Sequence, residues 1–305
     1  MIRLLSSRLL AGVVVVFAVA TICFFLLRQA PGGPFDTEAR QSLVVKRALE
    51  ERYHLNDSLV SQYVAYMNGL AVGDLGYSIK QERTVNNIIA EHFPRSAAVG
   101  LLGLVMALGV GLMLGVAAAW RRNTWVDYLS MTIALVGVSL SSFVIGPMLI
   151  ALLSIKLGWL PPTRLDELSS YILPSLSLGL VYMGTVARLA RGGLLEVLNQ
   201  DFIRTARAKG LSERRVVLKH ALRLGVLPVV TYIGPAAAGL VSGSFVVEKI
   251  FQIPGLGMFF VNSIADRDYN VIIGVFVFYV SLLVILNIAV DILFGVLDPR
   301  SREAR

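Results

Sequence analysis

Between two long uncharged runs the chain carries Asn199-Gln200-Asp201-Phe202-Ile203-Arg204-Thr205-Ala206-Arg207-Ala208-Lys209-Gly210-Leu211-Ser212-Glu213-Arg214-Arg215, then Lys219-His220, Arg223 and Leu227-Pro228. Residues of these types can bind rather than react: they offer cations to an anionic surface and small side chains to a close neighbour. Spaced by four, Arg215, Lys219 and Arg223 form one stripe of a helix, with Val216, His220 and Leu224 beside it. Two uses fit. One is a basic amphipathic loop lying on anionic headgroups, the other a docking helix for a soluble partner. Covalent chemistry finds no support: there is no Gly-x-x-x-x-Gly-Lys-Ser/Thr loop for phosphates, and no Ser/His/Asp set, carboxylate pair or zinc spacing stands out. The single cysteine, Cys23, and the scattered His54, His92 and His220 predict no metal site.

The elements that must position this stretch read as helix, tight turn, helix. Asn199 or Asp201 can cap the first helix, Gly210 sits where a helix end wants a left-handed residue, and Leu211 supplies the apolar contact after it. Ser212 and Glu213 begin the second helix. Ile203, Ala206 and Gly210 share a face of the first helix and, with Ala208, leave little bulk there. That face is expected to admit another body close to the backbone.

The surroundings are a membrane protein. Mean hydropathy is +0.71, with 56% hydrophobic and 16% charged residues, which no soluble domain matches. Apolar runs at about Leu9–Leu27, Ala97–Ala119, Tyr128–Ile155, Tyr171–Ala187, Val229–Val247 and Val271–Val290 predict six spans, the fourth only just long enough. With both termini inside, the inner segments hold 16 Lys/Arg and 7 Asp/Glu and the outer ones 12 and 13, so the excess of basic residues inside selects cytoplasmic termini. This distribution accounts for the net charge of +8 without nucleic acid. Arg3 and Arg8 precede the first run. A cleaved signal peptide is the alternative, but the run is long for one and Pro31 follows Ala30, so an uncleaved helix is expected.

Residues 29–95 form the longest polar segment, outside the membrane by this topology. Pro31-Gly32-Gly33-Pro34 ends the first span. Helices are expected over Glu38–Tyr53 and after Ser58, the latter with Leu59, Tyr63, Tyr66 and Leu70 on one face, followed by the turn Gly73-Asp74-Leu75-Gly76-Tyr77-Ser78. A stripe of Val85, Ile88, Ile89 and Phe93 then runs into Pro94. Gly111-x-x-x-Gly115 and Gly239-x-x-x-Gly243 have the spacing of closely packed membrane helices. The fifth span, with Pro235, Gly239, Ser242, Gly243 and Ser244, can either pack tightly or line a wide pathway. The third contains Ser139, Ser141, Ser142 and Pro147. Lys156 and Trp159 close it, Trp159 at the height of an interfacial anchor. Glu248 and the turn Pro254-Gly255-Leu256-Gly257 are expected outside the membrane, as are Asp266 and Asp268, which read as a solvated turn or, less plainly, as a lure for a peptide amine.

Arg204-Thr205-Ala206-Arg207-Ala208-Lys209-Gly210-Leu211-Ser212, with His220-Ala221-Leu222-Arg223 and Leu227-Pro228, resembles the cytoplasmic signature loop of ABC importer permeases of the dipeptide/oligopeptide group. The wider importer signature begins Glu-Ala-Ala and has Gly four residues after its second Ala. Ala206 and Gly210 are kept, while Arg204-Thr205 replaces the leading pair, as in the peptide branch. Pro31-Gly32, Gly73-Asp74-Leu75-Gly76, Glu248 with Pro254-Gly255, and Asp298-Pro299-Arg300 resemble the B-type subunits of that group. The resemblance implies an all-α membrane protein with the type I ABC importer permease fold, six transmembrane helices and an extracytoplasmic insertion between helices 1 and 2. Its implied parts are a first helix over 1–28, the insertion over 29–95, a transmembrane domain over 96–297 with a coupling loop over 191–226, and a cytoplasmic tail over 298–305.

The same resemblance implies that Asp201, Phe202, Ile203, Arg204, Thr205, Ala206, Arg207, Ala208, Lys209, Gly210 and Leu211 couple to an ATPase. It favours Ser139, Ser142, Ser242, Ser244, Gly239 and Gly243 as pathway residues. Implied partners are a second homologous permease, two cytoplasmic ATPase subunits that carry ATP and Mg, an extracytoplasmic substrate-binding protein and membrane lipid, in a bacterial inner membrane. The chain itself is expected to hold no cofactor and to catalyse nothing. Peptides are the implied cargo, with nickel chelates or glutathione as related alternatives. The six runs contain no acid or base, which weakens an ion-coupled carrier. An ATP-independent channel or carrier and a membrane scaffold remain alternatives.

Overall fold

A computed structural model describes residues 2–29, 57–163, 167–241 and 245–297. Among these, five helices are long and apolar enough to cross a membrane, and a bent pair makes a sixth crossing. The expected helix over Glu38–Tyr53, the Pro31–Pro34 turn and the Asp298-Pro299-Arg300 end lie outside the described residues, as do Ser242, Gly243 and Ser244. The chain divides into two compact units, one of residues 2–95 and 254–284, the other of 96–253 and 285 onward.

In the first unit, α1 (Ile2–Gln29) and α2 (Leu59–Ala71) meet through Phe24, Tyr63, Tyr66, Met67 and Leu70, which pack with Ala20, Ile273 and Val277. Ser58 caps α2 by accepting the Ser61 amide at 3.2 Å. Leu59, expected on the packed face, is 52% exposed. Gly73 and Gly76 take φ of +83° and +95°, the left-handed region open to glycine. They lead into a small antiparallel hairpin that periodicity did not announce, β1 (Tyr77–Ser78) with β2 (Arg83–Thr84). Then α3 (Val85–Trp120) runs 36 residues through Pro94. The stripe runs into Pro94 and the apolar run begins at Ala97, and a proline inside a helix removes one hydrogen bond. Burial of Val85, Ile88 and Ile89 against Leu256, Val271 and Val275 holds the first turns of that helix.

Asp268 is 2% exposed, not a solvated turn residue. It accepts from Ser78 Oγ at 2.5 Å and from the Lys80 amide at 3.3 Å, tying the hairpin to the start of the last helix. Asp266, by contrast, is exposed, as a solvated turn residue would be. His92 stacks on Phe259, centroids 3.8 Å apart, with Nδ1 3.0 Å from the Pro254 carbonyl.

In the second unit, the third predicted span is two helices, α4 (Trp125–Ser139) and α5 (Ser142–Leu149), meeting at 107°. Leu140 and Ser141 adopt extended backbone between them, as a Ser-Leu-Ser-Ser run permits, because serine favours caps and turns over helix interiors. A π-helical segment, Ile150–Lys156, continues α5. The fourth span, α6 (Ile172–Leu198), extends 11 residues past its predicted end and is buried along most of its length. Its Ser175 donates to the Val99 carbonyl at 3.0 Å and Ser177 to the Ser142 carbonyl at 3.2 Å. Against it α3 lies close. A Cβ on Gly111 would stand 2.8 Å from the Met183 carbonyl oxygen and one on Gly115 2.5 Å from that of Ala187, the contact that the Gly-x-x-x-Gly spacing predicts.

Candidate functional site

The polar stretch folds as expected in outline. It comprises α7 (Asp201–Ala208) and α8 (Glu213–Arg215), then a π-helical segment over Val216–Ala221, α9 (Leu222–Gly225) and α10 (Leu227–Val241). The cap is neither Asn199 nor Asp201: Gln200 takes the extended cap conformation and its carbonyl accepts the Ile203 amide at 3.1 Å. Asn199 instead bonds the Leu195 carbonyl at 2.9 Å, closing α6. Gly210, at φ +76°, is the left-handed residue after α7. Its amide bonds the Arg207 carbonyl at 2.9 Å and that of Leu211 reaches Ala206 at 3.4 Å, the paired bonds of a Schellman turn. Leu211 completes the turn by packing on the buried cluster beneath. Ser212 precedes α8 with no side-chain cap bond.

That cluster corrects one expectation. Ile203 and Ala206 are 0% and 8% exposed, packed with Ala119, Leu194, Val197, Val216, Val217 and Ala221 of the same chain. The small face admits the chain's own helices, not an outside body. Outward stand Asp201, Phe202, Arg204, Thr205, Arg207, Ala208, Lys209 and Gly210, with Phe202 40% exposed. The four-residue basic stripe also loosens. The π-helical turn adds a residue per bond, although Arg215, Lys219 and Arg223 all remain exposed while Val216, Val217 and Ala221 turn inward.

Across the turn, Arg207 Nε donates to Glu213 Oε1 at 2.7 Å, both side chains being about half exposed. Exposed pairs contribute at most about 1 kcal/mol. Arg207→Ala is therefore expected to shift the thermal unfolding midpoint of the purified chain by no more than a few degrees.

Below the hairpin are features the sequence reading missed. Asp127 in the first turn of α4 accepts two bonds from Arg191 on α6, at 2.7 and 2.8 Å, and one from the Asn123 amide at 3.1 Å. Their side chains are 4% and 29% exposed. Opposite charges at the same edge of consecutive spans were the available signal. Gly193 on α6 crosses Gly225 on α9 so closely that a Cβ on Gly193 would press into the Gly225 carbonyl oxygen. The hairpin is thereby fixed to α6 at two levels, by backbone contact and by the apolar cluster.

Of the pathway candidates, Ser139, Ser142 and Gly239 are among the described residues. Ser139 and Ser142 flank the break in the third span, and Gly239 lies beside the hydroxyl of Tyr182. Glu248, expected in an outer turn, sits on helix α11 (Phe245–Ile250), 3% exposed, accepting from Ser96 Oγ at 2.7 Å. The turn falls at Phe251 and Gln252, and Pro254 and Gly255 follow as a short link, Gly255 capping α12 (Leu256–Asp266). With the helices longer than the apolar runs, charges lie within them: Glu91 and Arg95 in α3, Asp127 in α4, Arg188, Arg191 and Glu196 in α6. The expected charge-free spans hold only for their central parts.

A set of helices long and apolar enough to cross a membrane, with a polar helical hairpin packed on one of them, defines a multi-span membrane protein. Residues 111–303 match the family described as binding-protein-dependent transport system inner membrane component, and residues 1–100 match its N-terminal component. The chain belongs to that family of transport permeases. It is 41% identical to the oligopeptide transport system permease protein OppB of Haemophilus influenzae, over 99% of this chain and 100% of that one. It is likewise 41% identical to the dipeptide transport system permease protein DppB of Bacillus subtilis, over 98% of each. To the glutathione transport system permease protein GsiC of Escherichia coli it is 38% identical, over 99% of each. Among solved structures, an inward-facing conformation of the MetNI methionine ABC transporter superposes with a TM-score of 0.60, at 18% identity, over 69% of this chain and 96% of that one. This likeness places the fold among ABC importer permeases.

Proposed function

We propose that the chain is a membrane-spanning permease subunit of an ATP-driven importer of peptides, working with a second homologous permease, two cytoplasmic ATPase subunits and an extracytoplasmic binding protein. The relatives named for oligopeptides and dipeptides, more similar than the one named for glutathione, support the cargo. ATP and Mg sit on the ATPase subunits, and this chain catalyses no reaction. Both termini lie in the cytoplasm, as the excess of basic residues in the inner segments favours. Residues 1–28 serve as the first span, 29–95 as an outer insertion, 96–297 as the transport domain and 298–305 as a tail.

The observation that carries the reading is the packing of the hairpin onto α3 and α6. The outward face of α7 seats in the ATPase cleft, while Ile203 and Ala206 hold the same helix to the ends of α3 and α6. Closure of the ATPases then moves two spans at once, and the partner shifts the bundle only by fitting one of its states better. Ile203, Ala206 and Leu211 thus act by transmission, the other coupling residues by contact.

Phe202→Asp tests this, since an exposed side chain can change without loss of packing. In the complex reconstituted with its ATPases and loaded binding protein, uptake and stimulated ATP hydrolysis should fall at least about tenfold, as for a residue central to an interface. Normal rates in that variant would reject the docking surface. Gly210→Leu inserts but places leucine at φ +76°, at a local cost of about 1–2 kcal/mol. Uptake should drop in it and largely return in Gly210→Asn, whose side chain tolerates that backbone.

A further inference from the structure

The 107° break in the third span leaves a crook between its limbs, closed on one side by α6. It holds a cleft of about 680 Å³, within the range of about 300–1,000 Å³ usual for small-molecule sites. Val136 and Leu140 line it from the first limb, Met148 and Leu152 from the second, Met183 from α6, and Lys156 stands at its end. Val136, Met148 and Leu152 are 52%, 58% and 49% exposed, so the cleft opens sideways. Lys156 is the one charged lining residue among those described.

Such a lining suits neither water nor a peptide, because it has too few polar groups to hold or orient either. The π-helical segment that ends at Lys156 is a form concentrated at functional sites. Three residues on, Trp159 is 71% exposed, as an aromatic side chain at the membrane–water boundary would be. The cleft therefore runs from an interfacial cation into an apolar interior. We propose that it binds one membrane phospholipid, an acyl chain lying in the crook and the headgroup phosphate on Lys156. The charge at the mouth favours this occupant, because the headgroup phosphate itself supplies the counter-ion to Lys156.

The test uses the assembled transporter in vesicles of phosphatidylethanolamine and phosphatidylglycerol, with a phosphatidylglycerol carrying a diazirine midway along one acyl chain as probe. Label should concentrate on peptides containing Val136, Leu140 and Met148. Met148→Trp, or Val136→Phe should the first variant fold poorly, should deplete it severalfold while labelling of α1 stays unchanged. Lys156→Gln should cut labelling by the phospholipid about fivefold, the worth of one lysine near an anionic surface, and leave labelling by the matching diacylglycerol probe as it was. Even labelling that ignores both cleft substitutions would mean boundary lipid only and overturn the proposal. So would absence of label together with cross-linking of Met148 to a neighbouring subunit, which would place protein in the crook.

Discussion

Gly193→Ala is expected to disable the transporter, and Gly192→Ala, one residue earlier, to leave it intact or firmer. Both glycines lie within α6. A methyl on Gly192 meets nothing within 4 Å, so alanine there only improves helix propensity, by about 1 kcal/mol. On Gly193 the methyl would press into the Gly225 carbonyl oxygen and stand 3.1 Å from Pro228 Cγ. Neither the backbone nor the proline ring can rotate away, so the penalty should reach or exceed the upper end of the ordinary overpacking range of about 1–3 kcal/mol. The hairpin would separate from α6 while the bundle stays in the membrane. Limited proteolysis after Lys209 or Arg214 should become rapid in Gly193→Ala alone, and uptake should fail with it. Equal protease resistance in the two variants would show that the crossing has slack.

The second large effect concerns the ion pair beneath the hairpin. Arg191→Ala leaves the Asp127 carboxylate nearly buried with only the Asn123 amide bond, and stranding a buried charge costs about 3–5 kcal/mol. Asp127→Ala should cost less, because Arg191 is 29% exposed and its long side chain can reach water. Replacing both by leucine removes the charge with its partner, and such replacements are often neutral. Thermal unfolding should therefore rank Arg191→Ala as least stable, Asp127→Ala next, and the double leucine variant near the parent. If the double variant were as unstable as Arg191→Ala, packing around the pair, not its charge, would be responsible.

The hairpin was legible because its signals are local. Gly210 and Leu211 specify a Schellman turn through backbone geometry and one apolar contact, whatever else the chain does. The direction that α7 faces was not legible. Ile203 and Ala206 show that something lies close, yet only the position of α6 says that the neighbour is the same chain. Likewise the spans were evident from apolar runs, but Pro94 passes inside a continuous helix because buried contacts outweigh one lost hydrogen bond. The break at Leu140 depends on serines whose effect on a helix is set by context. Asp268 and Glu248 looked solvated because they adjoin turns. Their burial rests on Ser78 and Ser96, which are distant in sequence.

The burial of α6 bears on how the chain is made. This helix carries Ser175, Ser177, Gly179, Gly184 and Gly193 against other helices, which supply contacts that lipid would not. A ribosome-bound chain delivers it after α3 and α4. Entering the bilayer alone, it would have only its own preceding turn to satisfy two serine hydroxyls, whereas beside α3 and the broken third span it finds the carbonyls of Val99 and Ser142 already in place. Biogenesis is thus ordered: the first half of the bundle acts as the solvent for the fourth helix, and a nascent chain lacking α3 should stall with that helix outside the membrane.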